Sequence, residues 1–271
     1  MKIAAVQMVS GASLEANLDS ARRLIAQAAA EGARLVALPE YFCFMGRADS
    51  DKLAIAEHPG DGAIQRMLAE AAARHGVWLV GGTLPLRSPD PQRVLNSCCV
   101  YAPDGAPAAR YDKIHLFRFE RESGGVRESY DEGRAILAGT APVACDADGL
   151  RVGLSVCYDL RFPELYRVLM APPCDLLCVP SAFTYTTGQA HWELLLRARA
   201  IENLACVVAA AQGGVHENGR RTWGHSLVVD PWGGVLDCRA GDGDGVVLAE
   251  LDARQVARCR AQLPALEHRR L

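Results

Sequence analysis

Twice within its first eighty residues the chain passes from a short apolar run into an alanine-rich helical stretch and back, and this alternation most constrains its fold. Ile3 to Val9 has the length and composition of a buried strand. Ser13 then caps a helix with apolar positions at Leu14, Leu18, Ala21, Leu24, Ile25 and Ala28, which Gly32 closes. Arg34 to Leu38 reads as a second strand, Gly62 to His75 as a second helix stopped by Gly76, and Val77 to Val80 as a third strand. Such β-α units place ligand sites at the C-terminal ends of strands. Pro39-Glu40-Tyr sets a carboxylate at one such end, where it also fits an ordinary exposed loop acid.

A second strand end carries a thiol. Arg151 to Val156 is a buried-strand run, Cys157 breaks it, and Pro163-Glu164-Leu-Tyr-Arg-Val-Leu-Met170 opens a helix with proline at its first position. A strand-turn-helix elbow exposes a nucleophile, and the N–H groups near the helix start favour thiolate and an oxyanion. Set against this, cysteine is among the most buried residue types, and the chain has ten. Val94 to Tyr101 and Ala108 to Tyr111 flank the turn Pro103-Asp104-Gly105 as antiparallel strands and deliver Tyr111-Asp112-Lys113-Ile-His115 to their far end. Lys113 alone fits a solvated strand-end lysine, and His115 a structural hydrogen-bonding histidine. Phe117 to Gly139 is charged, glycine-bearing and without a period, which predicts a long functional loop or a surface excursion.

Beyond the elbow, Asp175 to Pro180 reads as a strand, Ser181 to Gly188 as a polar loop, and the helix that follows starts near Gln189 and ends at Asn203. Ala205 to Ala211, Gly224 to Val229, Val235 to Cys238 and Val246 to Leu251 are further strands. The helix Asp252 to Gln262 precedes an apolar tail, Leu263 to Leu271. The loop hydroxyls of Thr184, Tyr185, Thr186 and Thr187 and the helix N-terminus suit a carboxylate or α-keto acid; threonines that merely cap the helix are the competing reading.

At 271 residues, half of them hydrophobic, the chain suits one domain, 1–271, with a large core. A net charge of −3 and the lack of a basic block give no footprint for nucleic acid. No signal-peptide pattern and no membrane-length apolar run occur, so a cytoplasmic protein with no membrane partner is expected. The cysteines form no Cys-x-x-Cys pair, which argues for reduced thiols, no metal and no cofactor.

Taken together, Leu-Pro-Glu40, Tyr-Asp-Lys113-Ile-His and Cys157-Tyr-Asp-Leu-Arg-Phe-Pro-Glu resemble the Glu-Lys-Cys motifs of the nitrilase/amidase superfamily, over the chain from Met1 to its tail. Gly188-Gln-Ala-His-Trp-Glu, Gly224-His-Ser-Leu-Val-Val-Asp-Pro-Trp-Gly and the closing Leu-Pro-x-Leu-x-His-Arg-Arg resemble its Nit-type branch, which includes deaminated glutathione amidases and omega-amidases. Arg-Phe-Pro-Glu164 and Val-Val-Ala-Ala-Ala-Gln212 lean toward the former. The resemblance implies an α/β fold, specifically a four-layer α-β-β-α sandwich, and a thiol hydrolase that cleaves a small ω-amide and releases ammonia. Alternatives are an omega-amidase on α-ketoglutaramate-type monoamides, an N-carbamoyl amino acid amidohydrolase, or a silent binding protein on the same fold. It implies Cys157 as nucleophile, Glu40 as base, Lys113 with the Tyr158 N–H as oxyanion donors, and Glu128 as the second glutamate, orienting the substrate amide and Lys113. A small-molecule amide as partner and a homodimer or higher homo-oligomer follow from the same resemblance.

Overall fold

The computed structural model of the chain describes residues 1–123 and 126–270, apart from the side chains of residues 121–128. In one sheet the strands Gly245–Glu250, Lys2–Gln7, Leu35–Ala37, Trp78–Val80, Val94–Tyr101 and Leu84–Arg87 lie side by side in that order, and Pro107–Asp112 also pairs with Val94–Tyr101. In the other the order is Val235–Cys238, Leu227–Val229, Cys206–Ala209, Leu176–Cys178, Leu150–Leu154 and Val143–Ala147. Each sheet has a parallel centre, Lys2–Gln7 with Leu35–Ala37 and Trp78–Val80 in the first, and Leu150–Leu154 with Leu176–Cys178 and Cys206–Ala209 in the second. Parallel neighbours need crossovers, which the helices supply.

Side-chain alternation assigns the layers. In Lys2–Gln7, Ala4 and Val6 pack with the helices Leu14–Ala30 and Ala63–His75, whereas Ile3 and Ala5 join the core shared with the second sheet. Leu165 and Leu169 of the helix Pro163–Leu169, and Trp192, Leu196 and Ala200 of the helix Tyr185–Asn203, pack against the second sheet. The order of layers is helix, sheet, sheet, helix, the four-layer α-β-β-α sandwich. The chain's ends meet in the first sheet, where Lys2–Gln7 pairs with Gly245–Glu250 and the Met1 amino group donates to Leu251 O at 2.7 Å.

Two expectations need correction. Within Phe117 to Gly139, Arg118–Ser123 and Val126–Asp131 pair antiparallel as the two arms of a hairpin, and a 3₁₀ turn follows at Glu132–Arg134. The helix expected from about Gln189 begins at Tyr185, after the extended residue Thr184. Threonine and glycine have poor helix propensity, but packing outweighs it: the Tyr185 ring lies 5.1 Å from that of Trp223. No helix among the described residues is long and apolar enough to cross a membrane.

Candidate active site

Glu40, Lys113 and Cys157 each follow the end of a strand, and the fold brings them to one chamber. Cys157 has a left-handed backbone, φ 49°, at the head of the 3₁₀ turn Cys157–Arg161, and its N–H donates to Pro180 O at 2.9 Å. A non-glycine residue in this region stores local strain, which the surrounding bonds must hold. Asp159 supplies them. Its Oδ2 accepts from the Val156 N–H (2.8 Å) and the Tyr111 hydroxyl (2.7 Å), and its Oδ1 accepts from the His115 N–H (3.0 Å) and lies 2.7 Å from His115 Nδ1. The aspartate of the Cys157 turn is thereby tied to residues on both sides of Lys113.

The charged groups form one buried cluster. Lys113 Nζ donates to Glu40 Oε1 at 2.9 Å and to both oxygens of Glu132 at 2.9 Å. Glu40 Oε1 also accepts from Asn96 Nδ2 at 2.9 Å, and its Oε2 from the Ala182 N–H at 3.0 Å. Glu132 accepts from the Tyr41 hydroxyl and the Phe117 N–H, each at 2.6 Å. The second glutamate on Lys113 is therefore Glu132, four residues beyond Glu128. The Glu128 backbone lies opposite Arg121 in the hairpin, and its side chain is outside the described residues. A sequence signal was present in Asp131-Glu-Gly133, where Asp131 Oδ1 accepts from the Gly133 N–H at 2.9 Å and turns the hairpin's returning strand back to its base.

Of the five residues expected at the substrate, Tyr158, Thr184 and Thr187 line the chamber. Thr186 lines an adjoining outer cleft, which shares Phe117, Tyr158, Arg161, Thr184 and Thr187 with it. Tyr185 lines neither; its ring packs on Trp223 and under the Arg221 guanidinium, 3.8 Å from the ring centre. Sequence reasoning passed over Arg161 and Arg220, both of which line the chamber. Among the described residues, no three His, Cys, Asp or Glu side chains are grouped to hold a metal ion.

Burial pulls the Lys113 pKa down, but Glu132 and Glu40 outweigh it and hold the ammonium well above the ordinary lysine value. Burial and then Glu40 push the Cys157 thiol well above its usual range, against opposing pulls from Lys113 and the Ala182 N–H. Two carboxylates and one ammonium leave the cluster with a net charge of −1, so a thiolate would add a second buried negative charge. Burial and Glu40 thus favour the neutral thiol at Cys157. Alkylation by iodoacetamide is therefore expected to be slow at pH 7 and to accelerate steadily into the alkaline range. Fast labelling, independent of pH around neutrality, would instead mean a preformed thiolate.

The carbon-nitrogen hydrolase family model matches residues 2–261. A deaminated glutathione amidase of Synechocystis is 40% identical over 269 residues, covering 98% of this chain and 97% of that protein. The omega-amidase of Homo sapiens is 35% identical, covering 99% and 95%. The crystal structure of Saccharomyces cerevisiae Nit3, described as a member of branch 10 of the nitrilase superfamily, superposes with a TM-score of 0.88 at 29% identity, covering 100% of this chain and 97% of that one. With its strand-end cysteine, lysine and glutamate gathered in one chamber of the sandwich, the chain belongs to the carbon-nitrogen hydrolase family, in the Nit-type branch of the nitrilase superfamily.

Proposed function

We propose that the chain hydrolyses a small ω-amide through a Cys157 thioester, with Glu40 as the base. One observation carries this reading: the Ala182 N–H reaches Glu40 Oε2 and also the Cys157 sulfur, which sets the carboxylate against the thiol. Cys157 Sγ attacks the amide carbon while Glu40 takes its proton, so no extra charge is buried before bonding begins. Lys113 Nζ and the Tyr158 N–H, in the first turn of its 3₁₀ helix, donate to the oxyanion; losing one such donor typically costs roughly 3 kcal/mol of barrier. Glu40 returns the proton to the departing nitrogen. It then activates the water that cleaves the thioester and frees the acid. Glu132 positions Lys113 and does not touch the reacting atoms.

Thr184, Thr187 and Arg161, facing both chamber and outer cleft, suit an anionic acyl tail. The relatives named deaminated glutathione amidase and omega-amidase support an ω-amide bearing such a tail. Deaminated glutathione carries a peptide on its amide nitrogen, so its leaving group is that peptide's amine; ammonia is the product only from a primary amide. Ten free thiols support a reducing, cytoplasmic setting.

The test measures acid, amine, ammonia and carbon dioxide from deaminated glutathione, α-ketoglutaramate, glutamine and an N-carbamoyl amino acid. Hydrolysis of one or both keto-acid amides without carbon dioxide is expected, and Cys157→Ala should abolish it at nearly unchanged melting temperature. Turnover surviving in that variant removes Cys157 from the mechanism, and carbon dioxide release moves the reading to a carbamoyl hydrolase.

A further inference from the structure

Most buried or half-buried arginines of the fold are consumed by structure. Arg199 donates to Leu160 O and Glu202, and Arg260 to Asp175, Cys174 O and Leu204 O. Arg220 differs. Its guanidinium lines the catalytic chamber and forms no ion pair among the described residues. It lies 5.4 Å from the Tyr130 ring centre, with Met45 Sδ 4.0 Å from Nη1. The loop beneath it is clamped. The Arg220 N–H donates to Asn218 Oδ1 (3.0 Å), Asn218 Nδ2 donates to Gly46 O (2.7 Å), and the His216 ring bridges Ser10 O and Thr222 Oγ1, each at 2.8 Å. A fixed cation with spare donors is already organised for an anion and loses little entropy on binding one.

Its place relative to the chemistry narrows what that anion belongs to. Arg161 stands over Phe183, near His191, on the wall shared with the outer cleft and with Thr184 and Thr187. Arg220 borders the inner chamber and not the outer cleft, and the groups that favour its charge are Tyr130, Tyr41, Asp49 and Glu40. Asp49 is engaged by Lys52 at 3.0 Å and by the Tyr130 hydroxyl at 3.2 Å. Glu40 has to reach the departing nitrogen to protonate it, so the leaving group lies on the Glu40 side of the scissile bond. With the acyl tail on the Arg161 side, Arg220 faces the amine.

We propose that Arg220 is a specificity-determining residue that binds a carboxylate carried by the leaving amine, so that of two amides with the same acyl group the one whose amine carries a carboxylate is preferred. This rests on the amidase reading above and extends it to the other side of the scissile bond. The test compares three glutaric monoamides with an identical acyl tail: those of glycine, ethylamine and ammonia. In Arg220→Gln, the ratio of kcat/KM for the glycine amide to that for the ethylamine amide should fall about 10- to 100-fold, mainly through KM, and Arg220→Lys should recover part of it. Equal losses on all three substrates would reduce Arg220 to a support of the site and overturn the proposal. So would a loss that tracks the acyl carboxylate when glutaramate is compared with pentanamide, since the cation would then serve the acyl tail. A wild-type enzyme that cleaves glutaramate and neither N-substituted amide overturns the proposal while leaving the amidase reading intact. Hydrolysis of none of the amides overturns both.

Discussion

Glu40→Gln is expected to lower turnover by roughly 10² to 10⁴ while making Cys157 easier to alkylate. The two effects have one cause. Glutamine cannot carry a proton from thiol to leaving group or from water to product, so both half-reactions slow. Removing the carboxylate also removes the neighbour that, after burial, does most to raise the Cys157 pKa, while Lys113 and the Ala182 N–H still favour the thiolate. A glutamine oxygen can accept from Asn96 and Lys113 as Glu40 Oε1 does, but its amide nitrogen cannot accept from Ala182, whose N–H is left to the sulfur. The apparent pKa of alkylation, read from iodoacetamide rates across pH, should therefore move down as kcat falls. Near-normal turnover removes Glu40 from proton transfer. Turnover and alkylation lost together would mean that the site has collapsed, and the base assignment would have no support from the variant.

Lys113→Met should be the most destabilising single change in the chamber. It fills much of the same volume but leaves Glu40 and Glu132 buried together without their cation. Removing one partner from a buried ion pair costs about 3–5 kcal/mol. The deficit should depend on pH in a definite direction. Without Lys113, burial and mutual repulsion raise the carboxyl pKa values in the folded protein above the unfolded value of about 4.3. The folded state then binds more protons than the unfolded one between those values, and stability falls as pH rises through that window. Thermal melts from pH 5 to pH 8 should show the variant closest to wild type at the acid end. A constant difference in melting temperature across that range would mean that the lysine contributes packing and not charge.

The outer architecture was legible because alternating apolar runs and caps are local signals, and Glu40, Lys113 and Cys157 were legible because each stands where such a run ends. What escaped depends on contacts between distant segments. Glu128 and Glu132 sit in similar local sequence, and only the pairing of Arg118–Ser123 with Val126–Asp131 decides which one comes to the base of the hairpin. The signal for that pairing, two runs separated by Gly124-Gly125, was in the sequence but was masked by charge. Thr187 and Tyr185 are close in one helix, yet one lines the chamber and the other packs on Trp223, a distinction set by how the helix lies against Arg221–Trp223. Arg220 resembled any loop arginine until the chamber closed around it.

The order in which the chain is made gives the cross-sheet bonds to Glu40 a further meaning. Glu40, Lys113, Glu132 and Cys157 are all synthesised before the Ala182 amide that donates to Glu40 Oε2, and before the Gln212 side chain that holds the Glu40 carbonyl at 3.0 Å. The strand Lys2–Gln7 gains its second neighbour only when Gly245–Glu250 arrives. A chain that ends before Ala182 thus carries Glu40, Lys113 and Cys157 without the cross-sheet bonds that fix Glu40 beside the cysteine.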